Sequence, residues 1–397
     1  MSIYTDLGLT PIINASGAVT RLGGAPMPDA VLSAFNAAAK ECVPLEDLQG
    51  KACEIISQIT GTESGLATAG AAASLTLGSA AILTGFDIGR MERLPHTRGI
   101  PHEFLVAREQ RNGYDHAVRA AGVRLVEVGM NEVVANAGVR RTEIWEYETA
   151  IGSNTAGILY VYARDSQPDL LPLVELAHSH GLPVLVDAAG ELPPKSNLQA
   201  IAATGADLVC FSGGKALRGV QSSGILCGKA DLVSAAALQM LDMDDHWDLW
   251  NPPANLIDKS RLSGMPRHGI GRGFKLSKEE IVALLTALQL FVDGAYDPDY
   301  PAAMDLLLNL AEALGDLDLT CEIQKDPEKE RLPLLIIQVD ERALGKSALE
   351  ICRNLRAGTP PIYLGHGMLQ QSRLTVNPLH LDESDAAAIY KAIKAQA

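Results

Sequence analysis

The stretch Leu208-Val209-Cys210-Phe211-Ser212-Gly213-Gly214-Lys215 constrains this chain most. An apolar run of this kind is a fully buried parallel strand, and the glycines after it break the strand. Lys215 is thereby delivered at the carboxyl edge, where ligands bind in open α/β sheets. Upstream, Pro183-Val184-Leu185-Val186 ends in Asp187-Ala188-Ala189-Gly190. The 28 residues from Asp187 to Lys215 are about one helix and one strand, so both side chains are expected at neighbouring strand ends. Taken singly, a lysine after Gly-Gly is an ordinary surface residue and an aspartate at a strand end an ordinary helix cap. In this order and spacing they meet the needs of pyridoxal 5'-phosphate. A lysine makes the Schiff base, and an acid keeps the pyridinium nitrogen protonated.

Such a cofactor needs a phosphate cradle, and Gly65-Leu66-Ala67-Thr68-Ala69-Gly70-Ala71-Ala72-Ala73-Ser74 supplies a candidate. A short apolar stretch runs through Gly70 into a helix of small residues. Small side chains let the first-turn N–H groups approach an anion, and the helix dipole favours its charge. The sequence lacks a Gly-Lys-Ser/Thr of the Walker type, so a nucleoside triphosphate is not the expected guest. A tightly packed alanine-rich core helix is the plainer explanation of the same residues; Asp187 and Lys215 downstream favour the cradle.

Together these motifs resemble the fold-type I pyridoxal phosphate enzymes. The closer resemblance is to the selenocysteine synthase-like group, which takes in ammonia lyases of the D-glucosaminate-6-phosphate type. It begins at Leu7-Gly8-Leu9-Thr10-Pro11-Ile12-Ile13-Asn14-Ala15-Ser16-Gly17 and continues at Leu48-Gln49, Gly61-Thr62-Glu63 and Tyr114-Asp115-His116-Ala117. Gly269-Ile270-Gly271-Arg272-Gly273-Phe274-Lys275, Lys278-Glu279-Glu280-Ile281 and Gly358-Thr359-Pro360-Pro361-Ile362 complete it. The resemblance implies an α/β fold: a large domain with a mostly parallel, seven-stranded-type sheet, and a small C-terminal α+β domain. Domain limits are expected at 1–45 for an N-terminal arm and helix, 46–275 for the cofactor domain, and 276–397 for a crossing helix and the small domain.

Composition is consistent with that class. With 397 residues, 47% of them apolar, the chain is long enough for one large and one smaller domain. The opening Met1-Ser2-Ile3-Tyr4-Thr5-Asp6 has neither the basic nor the apolar part of a signal peptide, and no apolar run is long enough to span a bilayer. Six scattered cysteines without a C-x-x-C pair read as reduced core residues, so a cytoplasmic location is expected. A formal net charge of −15 repels nucleic acid. Selenocysteine synthases that act on charged tRNA carry an extra N-terminal domain, and the core motif here starts almost at once, so a small-molecule substrate is expected.

The resemblance further implies site roles. Lys215 and Asp187 are catalytic. Ser212 and the Gly70, Ala71 and Ala72 amides bind the phosphate, Ala189 packs on one ring face, and His116 is the candidate for the other. A helix-face histidine satisfied by water is the alternative for His116, and Asp115 is a possible cap of the helix beginning there. Arg373, at a late strand start, is the candidate for the substrate carboxylate because its fork matches carboxylate geometry. Asn14 and His366 are further substrate contacts, although a turn-forming asparagine and a loop histidine explain them equally well. Arg272 is placed to reach a partner subunit's phosphate in a homodimer or larger assembly. The acidic, aromatic run Asp242 to Trp250 fits no standard ligand spacing, and no metal is expected. The implied reaction is α,β-elimination from a hydroxylated amino acid or amino-sugar acid, with racemisation and aldol cleavage open on the same catalytic core. A dinucleotide-binding oxidoreductase is set aside because Gly269-Ile270-Gly271-Arg272-Gly273 has no strand before it.

Overall fold

The computed structural model describes residues 2–130, 141–163, 165–315, 317 and 319–396, and twelve strands lie among them. They are β1 (Ile13–Ala15), β2 (Ser64–Thr68), β3 (Glu103–Ala107), β4 (Arg124–Val128), β5 (Thr155–Val161) and β6 (Val184–Asp187). The others are β7 (Leu208–Ser212), β8 (Gly224–Gly228), β9 (Thr320–Asp326), β10 (Arg331–Gln338), β11 (Ile362–Leu364) and β12 (Arg373–Val376). The chain divides into two units, Met27–Val292 and Met1–Pro26 with Asp293–Ala397.

In the larger unit, seven strands form one sheet in the order β2-β8-β7-β6-β5-β3-β4. Only β8 is antiparallel to its neighbours, β2 and β7. The mostly parallel seven-stranded sheet expected from the sequence is therefore present. Its central strands are buried along nearly their whole length, which is why β6 and β7 read as unbroken apolar runs. The edge strand β2 would leave backbone groups unpaired. Gln49, itself buried, covers them: its Nε2 donates to Ala67 O at 2.9 Å, and its Oε1 accepts from Ala67 N at 3.1 Å. The helix Ala71–Thr84 is buried on nearly every side, since alanines and glycine let it lie close on the sheet. Gly78 is the clearest case, because a Cβ there would stand 3.0 Å from Leu185 Cδ1.

The smaller unit carries β12-β10-β9 as an antiparallel sheet and a parallel pair, β1 with β11. That pair explains where the N-terminal arm belongs. Ile13, Asn14 and Ala15 are in register with Ile362, Tyr363 and Leu364, more than 340 residues away. Ile13 and Ala15 thereby enter the core of this unit with Ile362 and Leu364. The arm thus stands with residues 293–397, whereas the helices Asp29–Ala38 and Lys278–Val292 stand with the large sheet, so the division differs from limits at 45 and 275. Among the described residues no helix is long and apolar enough to cross a membrane.

One buried carboxylate ties down the amino edge of the large sheet. Asp207, just before β7, accepts from Val184 N at 2.7 Å and His178 Nε2 at 3.0 Å, and pairs with Lys229 Nζ at 2.5 Å. It joins the starts of β6 and β7 to the residue after β8. Replacing it leaves the buried Val184 N–H unsatisfied, whereas the half-exposed His178 and Lys229 regain water. We expect Asp207→Ala to lower unfolding free energy by about 2–3 kcal/mol, read by urea denaturation, with cofactor absorbance at the opposite edge unchanged.

Candidate active site

Four strand ends meet at the carboxyl edge of the sheet, and the register sets their order. Asp187, the last residue of β6, stands opposite Cys210 of β7, and Ser212 lies two residues further on. Gly224, which begins β8 from the same edge, is opposite both Ser212 and Thr68. β2 then passes through Gly70 into the helix Ala71–Thr84. One row of strand ends thus carries the acid, the Ser212 hydroxyl and the helix start.

The Gly213-Gly214 pair has a steric cause. After β7 the chain folds back on the start of β8, with Gly213 N donating to Ser223 O at 2.8 Å and Gly219 N to Gly213 O at 2.9 Å. A Cβ on Gly213 would lie 2.3 Å from Ser223 Oγ, and one on Gly214 would lie 2.5 Å from Gln221 Cα. Only glycine permits this turn. Lys215 follows directly, half-buried, with Nζ 3.8 Å from where a Cβ on Gly190 would stand. The lysine of β7 therefore reaches the loop that follows Asp187.

Asp187 is buried, and burial is the largest influence on its carboxyl, pushing it above the usual carboxylate range. Opposing it, in order, are the hydrogen bond from Ala189 N to Oδ1 at 3.1 Å, the charge of Lys215, and the Cys210 thiol, whose Sγ is 3.8 Å from Oδ1. Burial also pushes Cys210 well up, so it stays a neutral thiol and donates.

The cradle is built from backbone. Gly70 has φ +95°, and no side chain caps the helix that follows. Its first-turn N–H groups have no intrahelical acceptor. Thr68 Oγ1 and Ser74 Oγ are occupied with each other at 2.7 Å, so they do not compete for that position. Gly224 faces the cradle so closely that a Cβ would lie 2.6 Å from Gly70 C and 2.7 Å from Ala71 N. An uncapped helix start, a free Ser212 hydroxyl, a buried acid and a nearby lysine fit the phosphate, ring and aldehyde of pyridoxal phosphate.

Other expected site residues are placed as follows. His116 is exposed on the helix Asp115–Ala120, with Nδ1 3.1 Å from Arg119 Nη2. Tyr114, not Asp115, holds the N-cap position; the buried Asp115 carboxylate pairs instead with Arg111 Nε at 2.5 Å. Arg272 Nη2 is bonded to Asp242, and Gly271 before it serves packing: a Cβ there would lie 2.3 Å from Leu77 Cδ2. Asp242, Asp244 and His268 offer atoms within 4.8 Å of one another, all on exposed side chains. Met243 and Trp250 are buried in the core of the larger unit, and Lys259 Nζ holds the Trp247 and Trp250 carbonyls at 2.5 Å each. The remaining three belong to the smaller unit. Asn14 spends its amide on a turn, donating to Gly17 O and accepting from Ser16 N, both at 3.0 Å. Arg373 Nε donates to Gln338 Oε1 at 2.8 Å, and its Nη groups meet no carboxylate among the described residues. His366 is exposed beside Arg356.

Sequence reasoning missed Gly224 and Gln49 as parts of this architecture. A glycine opening a returning strand after Ser222-Ser223 was the available signal for the first.

Comparisons with known proteins bear on this geometry. A family profile described as L-seryl-tRNA selenium transferase matches residues 12–243. A 5'-C-glycyluridine monooxygenase-decarboxylase from Streptomyces sp is 29% identical over 98% of this chain and 91% of its own length. The D-glucosaminate-6-phosphate ammonia lyase of Salmonella typhimurium (strain 14028s / SGSC 2262) is 29% identical over 98% of this chain and 96% of its own. A solved structure of D-glucosaminate-6-phosphate ammonia-lyase superposes with a TM-score of 0.82 at 27% identity, covering 100% of this chain and 98% of that one.

Two outcomes follow from the site. Gly224→Ala forces the Gly70–Ala71 peptide aside, and we expect the dissociation constant for pyridoxal phosphate, measured by equilibrium dialysis, to rise by about tenfold or more. For Asp187 the sign is set by burial. Its folded carboxyl titrates above its unfolded value, so the native state holds the extra proton, and stability falls as pH rises from the ordinary carboxylate range through the raised value. Without cofactor, Asp187→Asn is expected to melt higher than wild type at neutral pH and to lose this pH dependence, while retaining cofactor more weakly. A lower melting temperature at neutral pH would refute the reading.

Proposed function

Because the chain belongs to the family described as L-seryl-tRNA selenium transferase, with the fold of the fold-type I pyridoxal phosphate enzymes, we propose that it is a pyridoxal phosphate-dependent lyase. It takes a β-hydroxylated amino acid or amino-sugar acid to a 2-oxo acid and ammonia. The observation that carries this is the meeting of buried Asp187, half-buried Lys215 and the uncapped helix at Gly70 on one sheet edge.

When bound, the cofactor supplies an electron sink for a carbanion at the substrate's Cα. Lys215 Nζ would hold the cofactor through its aldehyde and, when released from it, would act as the base at the substrate's α-proton. Asp187 keeps a proton on the ring nitrogen, and its hydrogen bonds from Ala189 N and the Cys210 thiol fix the carboxylate's direction. Ser212 Oγ and the Gly70, Ala71 and Ala72 region hold the phosphate. Ala189 and His116 are assigned to the two ring faces, and Arg373 to the substrate carboxylate. Loss of the β-hydroxyl as water, followed by hydrolysis of the enamine product, returns that water and releases ammonia, so the conversion needs no oxidant. The net charge of −15 opposes a tRNA substrate. Homodimeric assembly and a cytoplasmic location complete the proposal.

A second reading is oxidative decarboxylation. The full-length likeness to the glycyluridine enzyme favours it as strongly as identity favours the lyase.

The test is a coupled ammonia and 2-oxo acid assay over D- and L-β-hydroxy amino acids and amino-sugar acids, with oxygen uptake and α-deuterium exchange recorded on the same samples. Equal release of ammonia and oxo acid, lost in Lys215→Ala together with the cofactor's lysine-linked visible absorption, is expected. Oxygen uptake with carbon dioxide release identifies the second reading. Deuterium exchange without ammonia overturns both in favour of a racemase, or of an aldolase where an aldehyde appears.

A further inference from the structure

In the smaller unit, two arginines from separate segments converge on one tyrosine ring, and a histidine stands beside one of them. β11 alternates: Ile362 and Leu364 point into the core, and Tyr363 points out. The Arg356 guanidinium, from the last turn of the helix Ala348–Ala357, lies 4.9 Å from the Tyr363 ring centroid. Arg21, from the short helical turn Thr20–Leu22 after β1, lies 5.8 Å from the same centroid. His366, two residues beyond β11, places Nδ1 3.4 Å from Arg356 Nη2.

This grouping is costly as it stands. The ring face attracts each cation, but the two guanidiniums repel each other. Among the described residues neither arginine forms an ion pair, although the sequence holds 48 acidic against 33 basic residues. Arg356 Nε is in addition buried with no hydrogen-bond partner, so one donor of that guanidinium is desolvated and unpaired. An acid at this position would neutralise the site; among the described residues none pairs with either arginine, which leaves that role to a ligand.

We propose that Arg21, Arg356 and His366, arranged about Tyr363, bind the dianionic phosphate group of a small molecule. Two guanidinium groups match the charge of phosphate, near −2 at neutral pH, better than that of one carboxylate. The planar fork of arginine bonds phosphate oxygens in pairs, and the His366 ring beside Arg356 is a further hydrogen-bonding group. The site is built wholly from residues of the smaller unit and does not depend on the role given to Lys215.

The test is ³¹P NMR line broadening on the pyridoxal phosphate-loaded protein, whose cradle is filled, with inorganic phosphate and glycerol 3-phosphate as probes and acetate as competitor. Saturable broadening is expected, weakened at least about tenfold in Arg356→Gln and in Arg21→Gln. Arg21 is exposed, so its variant keeps the fold even where loss of the Arg356–Tyr363 contact costs stability; melting curves on both check this. Tighter binding of glycerol 3-phosphate identifies a phosphate ester as the source, and tighter binding of inorganic phosphate identifies the free ion. Equal broadening in both folded variants, or displacement of phosphate by equimolar acetate, overturns the proposal. Cofactor absorption recorded on the same samples separates failure here from failure of the lysine assignment.

Discussion

A carboxyl group held out of water at the end of β6 is the constraint on which the rest of this structure depends. Burial alone favours the protonated acid, and the three groups that oppose it are a backbone N–H, a lysine in the turn after the next strand and a neutral thiol. Such an arrangement is poor for stability and good for chemistry. It keeps an acid ready for a buried cationic partner, the role proposed for pyridoxal phosphate's ring nitrogen. Sites of this kind carry functional groups in environments a purely structural residue would avoid. The parallel order β7-β6-β5 places Asp187 and Lys215 at adjoining ends, so no long loop has to bring them together.

Close backbone approach does the remaining work. Gly213, Gly214 and Gly224 each sit where a Cβ would meet another atom at 2.6 Å or less. The first two fold the β7–β8 connection so that Lys215 leaves the strand at the right place. The third brings β8 against the Gly70–Ala71 peptide. A phosphate held mainly by N–H groups needs this density, because backbone donors have no side-chain reach and must be positioned by the fold.

Much of this was legible in the sequence, for physical reasons that also mark where legibility ended. β6 and β7 announced themselves because strands buried on both faces admit only apolar or small residues, and because glycine and proline punctuate their ends. The placement of Lys215 and Asp187 at neighbouring strand ends was readable from order and spacing along the chain. The pairing of Ile13–Ala15 with Ile362–Leu364 was not, since three-residue strands carry no periodicity and their partners lie at opposite ends of the sequence. The same limit hid the true place of the arm. Asp115 looked like a cap because an aspartate before a helix usually is one; a competing ion pair with Arg111 settled its direction. Gly269-Ile270-Gly271 looked like a ligand loop, and a helix surface explains its glycines.

The two buried aspartates on either side of the sheet show how one scaffold separates stability from reactivity. Asp207 and Asp187 flank β7 and β6 at opposite edges, and both are almost fully buried. Asp207 is met by a backbone N–H, a histidine and a lysine, all within 3.0 Å, and so fastens three strands. Asp187 has a single backbone donor, a distant thiol, and a lysine that the proposed chemistry commits to the cofactor. A parallel sheet imposes this difference. At the amino edge, strand starts and the residues flanking them turn donors toward one another. At the carboxyl edge, the chain leaves the strands through loops and helix starts whose N–H groups face outward. An acid at the first edge finds its partners within the fold, and an acid at the second waits for one.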